Sequence, residues 1–328
     1  MARIALVHDV AGVAAVQAKL LRGAGHDVDE IPLSTFGARW KWPAKAVALP
    51  LRLGAYLPAI SRLKRQRYDV VHIHWLSNGI VGVLAGGSFF AQAHGSDVHR
   101  NLGSPVYRWV TNPVLRNAKA VFYVTPNLPA YMAGYREKLV YLPNPVDLGG
   151  PPGPAPGRVS SALIFTRLDP IKGVDRIFPA VERLSRMAAV TALDWGPLSR
   201  EYVRTYQGKV TFVNTIPHAE VGAFLGRFDL VIGQMKQGIL SLMEIEALGA
   251  GRPLITGIDW SLYPEDPPPV IAASGPDAIV AAVEKLRDNS AELARLSREG
   301  REWAVRNHGY AHHLRLLEAA YFGVATRT

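Results

Sequence analysis

The sequence predicts two doubly wound α/β domains facing a cleft, and three observations point to them. The chain has 328 residues, enough for about two domains with separate cores. Short, continuous apolar runs alternate with helical stretches, as in parallel strands covered on both faces. The alternation breaks once, in a segment crowded with proline and glycine, and then resumes. Apolar residues make up 48% and charged residues 20%, which excludes wholesale disorder and fibrous repeats.

The elements follow in order. Residues 4–7 read as the opening strand, and residues 1–10 lack the basic, apolar and small-residue order of a signal peptide. Strands are expected at 70–73, 89–93, 121–124 and 140–142, completing a first domain over 1–150. The uncharged stretch 75–93 is a poor membrane span, because Gly79, Gly82, Gly86 and Gly87 interrupt it. Prolines and glycines crowd residues 143–157, and the linker is placed at 151–157. Strands resume at 162–165, 190–193, 211–213, 230–232 and 254–255 in a second domain over 158–308. Ser274-Gly275-Pro276 opens a helix whose Ile279, Val283 and Leu286 share one face. Residues 309–328 form a last helix, expected to pack back on the first domain.

Composition narrows the chemistry. With no cysteine, disulfides, thiolate metal ligation and a thiol nucleophile are excluded, and a cytoplasmic location is the expectation. The 37 Lys+Arg against 27 Asp+Glu give a formal charge of +10, which suits an anionic partner. Nucleic acid is not expected as that partner, since no aromatic platform, zinc spacing or recognition-helix motif accompanies the charge.

Ligands of doubly wound sheets bind beyond the carboxyl ends of the strands, so residues just past those ends are the candidates. Arg167 and Lys172, in Arg167-Leu168-Asp169-Pro170-Ile171-Lys172-Gly173, follow a strand and can aim two cations at a diphosphate. A solvated turn with two surface cations is the competing reading. Gly238-Ile239-Leu240-Ser241-Leu242 leads into a helix whose first N–H groups can hold phosphate, and Glu246 lies further along it. A carboxylate there can accept two ribose hydroxyls. His94, in His94-Gly95-Ser96-Asp97, follows another strand and can hydrogen-bond a hydroxyl, or else cap the turn. His72 and His74 read as structural or cleft-edge residues. The pair Asp27 and Asp29, expected between a helix and the second strand, is a poor metal site.

In this order, these segments resemble the retaining nucleotide-sugar glycosyltransferases of the GT-B architecture, group 1 family, built from two Rossmann-like domains. The likeness extends through Asp69-Val70-Val71-His72-Ile73-His74, Val124-Thr125-Pro126, Pro143-Asn144-Pro145 and Trp195-Gly196-Pro197 to Gly251-Arg252-Pro253. The resemblance implies that Arg167 and Lys172 hold the donor diphosphate, Glu246 binds the ribose, and His94 lies beside the transferred sugar. It places Gly12 at the phosphate, Asn214, Thr215 and Ile216 near the base, and Gln237, Gly238, Ile239, Leu240 and Leu242 around the rest of the donor. It further implies transfer with retention, no metal or other cofactor, a UDP- or GDP-sugar co-substrate, and a glycan, lipid-linked or small-molecule hydroxyl acceptor.

Two places depart from the family: the first loop offers Ala11-Gly12 where members commonly have a glycine pair, and the second departure bears on the sugar. Eight residues before Glu246, where members carry a sugar-binding glutamate, stands Gly238. Either Gln237 or backbone N–H groups take over the sugar hydroxyls, or the chain is a catalytically silent relative that binds a nucleotide or glycan. The segment 36–67, with Trp40, Lys41, Trp42 and many arginines and lysines, suits an anionic membrane face or the acceptor. Peripheral contact with the inner face of the plasma membrane is the corresponding expectation.

Overall fold

A computed structural model describes residues 1–35, 51, 54–102, 105–148, 150 and 152–323. Two compact units emerge: Met1–Pro145 with the chain from His313 onward, and Val146–His312. The sequence reading set the boundary later, after residue 150. Val146 itself belongs to the second unit, buried in that unit's core, with its N–H donated to the His308 carbonyl at 2.9 Å.

The first unit contains a six-stranded sheet: β1 (Arg3–Val7), β2 (Asp27–Ile31), β3 (Val70–His74), β4 (Phe90–Ala93), β5 (Ala120–Tyr123) and β6 (Leu139–Tyr141). Their order is β2-β1-β3-β4-β5-β6, with every pairing parallel. Helices include α1 (Val13–Gly23), α2 (Leu57–Arg65), α3 (Ile80–Ala85), α4 (Ser96–Asn101) and α5 (Pro105–Asn117). Asp27 and Asp29 lie within β2 rather than ahead of it. The apolar pattern could not reveal this strand, because it is an edge with only Val28 and Ile31 buried.

The second unit has β7 (Ser161–Ile164), β8 (Ala189–Leu193), β9 (Thr211–Val213), β10 (Leu230–Ile232), β11 (Leu254–Thr256) and the two-residue β12 (Ile271–Ala272). The order β12-β11-β10-β7-β8-β9 is again fully parallel. It is the strand order of a dinucleotide-binding sheet, which reverses direction of growth between β7 and β10. Helices are α6 (Val174–Ile177), α7 (Val181–Leu184), α8 (Ser199–Thr205), α9 (Val221–Leu225), α10 (Leu242–Gly249), α11 (Pro276–Leu286), α12 (Ser290–His308) and, returning to the first unit, α13 (Tyr310–Phe322). The face expected on α11 is inside: Ile279 and Val283 are fully buried and Leu286 nearly so. Among the described residues no helix is long and apolar enough to cross a membrane.

The proline-rich stretch is held by two arginines of the second unit. Buried Arg252 donates to the carbonyls of Pro154 (2.8 Å) and Phe228 (3.1 Å), and Arg301 donates to those of Leu148 (3.2 Å) and Gly150 (2.8 Å).

Candidate active site

In the second unit the site is assembled where β7 and β10 diverge. Phe165 N–H donates to Ile232 O at 2.9 Å, so the two strands are still joined at their carboxyl ends. Past Arg167 the chain is pinned by Leu168, whose N–H reaches Trp195 O (2.7 Å) and whose carbonyl accepts from Leu198 N (3.0 Å). Asp169 accepts from Ile171 N–H at 3.1 Å and starts the turn Pro170–Lys172. Gly173 completes it at φ 77°, where an added Cβ would press on Met235 and Lys236 at 3.0–3.2 Å.

The loop after β10 is thereby brought onto Lys172. The Lys172 carbonyl accepts from Met235 N at 2.8 Å, and its Nζ donates to Gln237 Oε1 at 2.7 Å. Burial draws the Lys172 pKa below the usual lysine range, and Glu244 works against that shift. Arg167 pairs with Asp169 at 2.6 Å and lies over the Trp195 ring at 6.0 Å, with 41% of its side chain exposed. Both cations are therefore at the strand ends, Lys172 turned inward and Arg167 partly open.

Glu244 is the residue the sequence reading missed. It is fully buried and accepts from Gln234 N (3.0 Å), Ser241 N (2.7 Å), Ser241 Oγ (2.6 Å) and the Thr256 hydroxyl. Gly233 lacks a Cβ because the Glu244 carboxylate occupies that space. Burial raises its pKa while these donors oppose the shift. The signal was available as Ser241-Leu242-Met243-Glu244, a capping box ahead of an apolar run.

Glu246 lies two residues on, on α10. Burial raises its pKa, and His218 Nε2 at 3.2 Å counters this. This contact brings the segment after β9 beside Glu246, with Asn214 and Thr215 exposed and Ile216 half-buried. A cavity of about 420 Å³ is lined by Glu246, His218, Asp147 and Arg301. Gly238 has φ 68°. Ile239 and Leu240 are buried, and the Leu240 N–H is already donated to Tyr263 Oη at 2.9 Å. Leu242 is half-buried at the first turn of α10.

In the first unit, the turn from β1 to α1 holds three residues at positive φ: His8 (65°), Ala11 (53°) and Gly12 (78°). Two of them are not glycine, and such strain is held only where surrounding bonds fix it. Here His8 N donates to Ile31 O (2.8 Å) and Asp9 accepts from Ala14 N (2.9 Å). His94 follows β4, its Nε2 3.2 Å from His74 Nδ1. Burial pulls its pKa down to about 3, with a smaller push from His8. Asp97 fixes this corner by accepting from Leu76 N (2.7 Å), His94 N (2.9 Å) and Val98 N (3.0 Å). Burial raises its pKa to about 6 against those bonds.

His72 and His74 are fully buried and stacked, ring centroids 4.5 Å apart. His72 Nδ1 meets Tyr321 Oη at 2.6 Å, and Gln17 joins Gln92 (3.2 Å) to His313 (3.0 Å). Both are thus core residues, not cleft-edge ones. Arg167, Lys172, Gln237, Gly238 and Glu246 share the second unit, and Gly12 and His94 belong to the first. Trp40, Lys41 and Trp42 lie outside the described residues.

Comparison with known families agrees with both halves. The glycosyl transferase 4-like domain family matches residues 4–145, and the glycosyl transferase-like family matches residues 176–319. The chain belongs to the group 1 glycosyltransferases of GT-B architecture. No curated protein matches it in sequence. Among solved structures it is similar to a sucrose-phosphate synthase from Thermosynechococcus elongatus (TM-score 0.75, 16% identity, 99% of each chain). It is also similar to a glycosyltransferase from Rickettsia africae (TM-score 0.70, 14% identity, 100% of this chain and 99% of that one). HepE from Anabaena, solved with UDP-glucose, matches at TM-score 0.68 and 12% identity over 97% of this chain and 99% of that one.

Proposed function

We propose that this glycosyltransferase moves a sugar from a nucleoside diphosphate sugar, UDP- or GDP-linked, to a hydroxyl of a glycan, lipid-linked or small-molecule acceptor. The observation that carries this reading is the junction of Lys172 with Gln237 across the ends of β7 and β10, with Arg167 alongside. Charge building on the departing diphosphate would be stabilised there. At ~4 Å and an effective dielectric of ~20, one such pair is worth about 4 kcal/mol before desolvation. Half of that exceeds a factor of ten in rate. Glu246 would take the ribose hydroxyls once His218 yields them, and His94, neutral at pH 7, would bond a sugar hydroxyl.

Arg167→Ala and Lys172→Ala are each expected to lower turnover by about 10²-fold or more with the circular dichroism spectrum unchanged; full activity in both rejects the assignment. Thermal shifts with UDP, GDP, ADP, CMP and dTDP identify the base, because a ligand that binds only the folded state raises its melting point. Retention is proposed with the leaving phosphate oxygen as the proton acceptor, and is read from the anomeric configuration of the product. No metal or other cofactor is proposed, so chelator should leave turnover unchanged. Binding without transfer would favour a silent relative, a reading that Gly238 keeps in play. A cytoplasmic location with the segment 36–67 against anionic lipid is proposed from its charge alone; co-sedimentation indifferent to anionic lipid would remove the membrane part.

A further inference from the structure

The loop after β11 lies along the loop after β10. Gly257 N donates to Gln234 O at 2.8 Å, Asp259 N donates to Gly238 O at 2.9 Å, and Gly238 forms a parallel bridge with Ile258. A Cβ built on Gly238 would sit 3.0 Å from the Asp259 Cβ. The side chain that position 238 lacks and the one that Asp259 carries therefore start from the same place. We infer that Asp259, with the indole of Trp260 beside it, supplies the carboxylate for the hydroxyls of the transferred sugar; the assignment rests on the donor reading above.

Three features support it. The Asp259 carboxylate is exposed, and both of its contacts, Ser261 N (3.0 Å) and Ser261 Oγ (2.7 Å), fall on Oδ1. Those donors hold its pKa below the usual carboxylate range, so it is an ionised acceptor at neutral pH. Trp260, the next residue in the chain, is 44% exposed; an apolar ring and a hydroxyl acceptor at successive positions suit the two chemically different sides of a pyranose. A cavity of about 330 Å³ opens between Gly238, Asp259, Lys236 and Arg176, at the low end of ligand-site volumes. Its cations are engaged elsewhere, Lys236 with Asp175 at 2.8 Å and Arg176 with the Met235 carbonyl at 3.2 Å. Asp259 lines this cavity with Oδ2 outside both Ser261 bonds, which suits it to accept from a neutral, hydroxyl-bearing ligand. It is also two residues from the Lys172 contact in space, through Gln237 and Gly238.

The test is calorimetric titration of the full chain with UDP, GDP and ADP and with UDP-glucose, GDP-mannose and ADP-glucose. The quantity read is the affinity for a sugar nucleotide relative to its own diphosphate. Asp259→Ala and Trp260→Ala are expected to lower that ratio at least tenfold while each diphosphate binds within twofold of the parent protein. Asp259→Asn retains an oxygen for the Ser261 cap and loses the charge, so it separates the sugar contact from the turn; it too is expected to lower the ratio. An unchanged ratio in Asp259→Asn, or equal losses for diphosphate and sugar nucleotide, overturns the assignment and leaves the donor reading standing. Failure of the parent protein to bind any of the six overturns both.

Discussion

Gly238 illustrates how a single backbone angle limits what a site can carry. At φ 68° any other L residue is strained, and its Cβ would meet Asp259 at 3.0 Å. Restoring a family-like acid with Gly238→Glu is therefore expected to cost about 1–3 kcal/mol of stability, measured by chemical denaturation, with no gain in transfer. The missing carboxylate was legible in the sequence, but its neighbour Asp259 was not, because the two are joined only by strand pairing. The histidines behaved similarly: alternation along β3 located His72 and His74, yet not their complete burial. Their protonation gives a second prediction. Burial puts the pKa of His72 and His94 at about 3 and of His74 well below its usual value, so the unfolded chain, at about 6.5, binds these protons first. Stability should then fall as pH drops below about 6.5. Asp97, raised to about 6, acts in the opposite sense between its unfolded value near 4 and 6. Near pH 5.5 three imidazoles outweigh this one carboxyl, so the slope keeps the sign set by the histidines. Urea denaturation at pH 7, 6 and 5 that shows no slope would mean these rings are not held neutral.

The strands most readable from sequence are those buried on both faces, such as β7 and β10 with their apolar runs 162–164 and 230–232, and β3 and β4, where only His72, His74 and Gln92 break the run. Two edge strands escaped, since β2 is Asp-Val-Asp-Glu-Ile and β12 is two residues long, whereas the edges β6 and β9 were legible. The linker was legible as composition, but its attachment was not, since Arg252 and Arg301 lie far along the chain from the carbonyls they hold. Arg252 is 3% exposed and donates to three separate segments, at Ala250, Phe228 and Pro154. Arg252→Ala leaves the buried Phe228 carbonyl, and the part-buried ones of Ala250 and Pro154, without this donor, and hydrogen bonds to a charged group contribute about 1.5–3 kcal/mol each. A loss of at least about 2 kcal/mol is expected for the second unit, with faster proteolysis within residues 150–157. Protection unchanged there would show that the linker needs no anchor.

At the scale of the whole molecule, the two units differ in how the chain builds them. Val146–His312 is continuous, whereas the first unit is completed by residues from His313 onward. That segment is not an accessory to the first sheet. His313 is fully buried, its Nδ1 donating to the Pro143 carbonyl at 2.8 Å and its Nε2 accepting from Gln17 Nε2 at 3.0 Å. Leu317 is fully buried, and Tyr321 packs on Phe90 and Phe122 while its hydroxyl meets His72. Exposing one buried Leu or aromatic side chain costs about 2–5 kcal/mol, and a whole domain is stable by only about 5–15 kcal/mol. Residues 1–145 expressed alone should therefore not reach a cooperatively folded state, despite containing all six strands of their sheet. Residues 146–312 expressed alone should fold and keep part of the parent protein's nucleoside diphosphate affinity, because Arg167, Lys172, Gln237 and Glu246 are all within that stretch while Gly12 is not. Heat capacity scans and titration of the two fragments decide the matter: a sharp transition for 1–145, or a 146–312 fragment without one, would contradict this division of the chain.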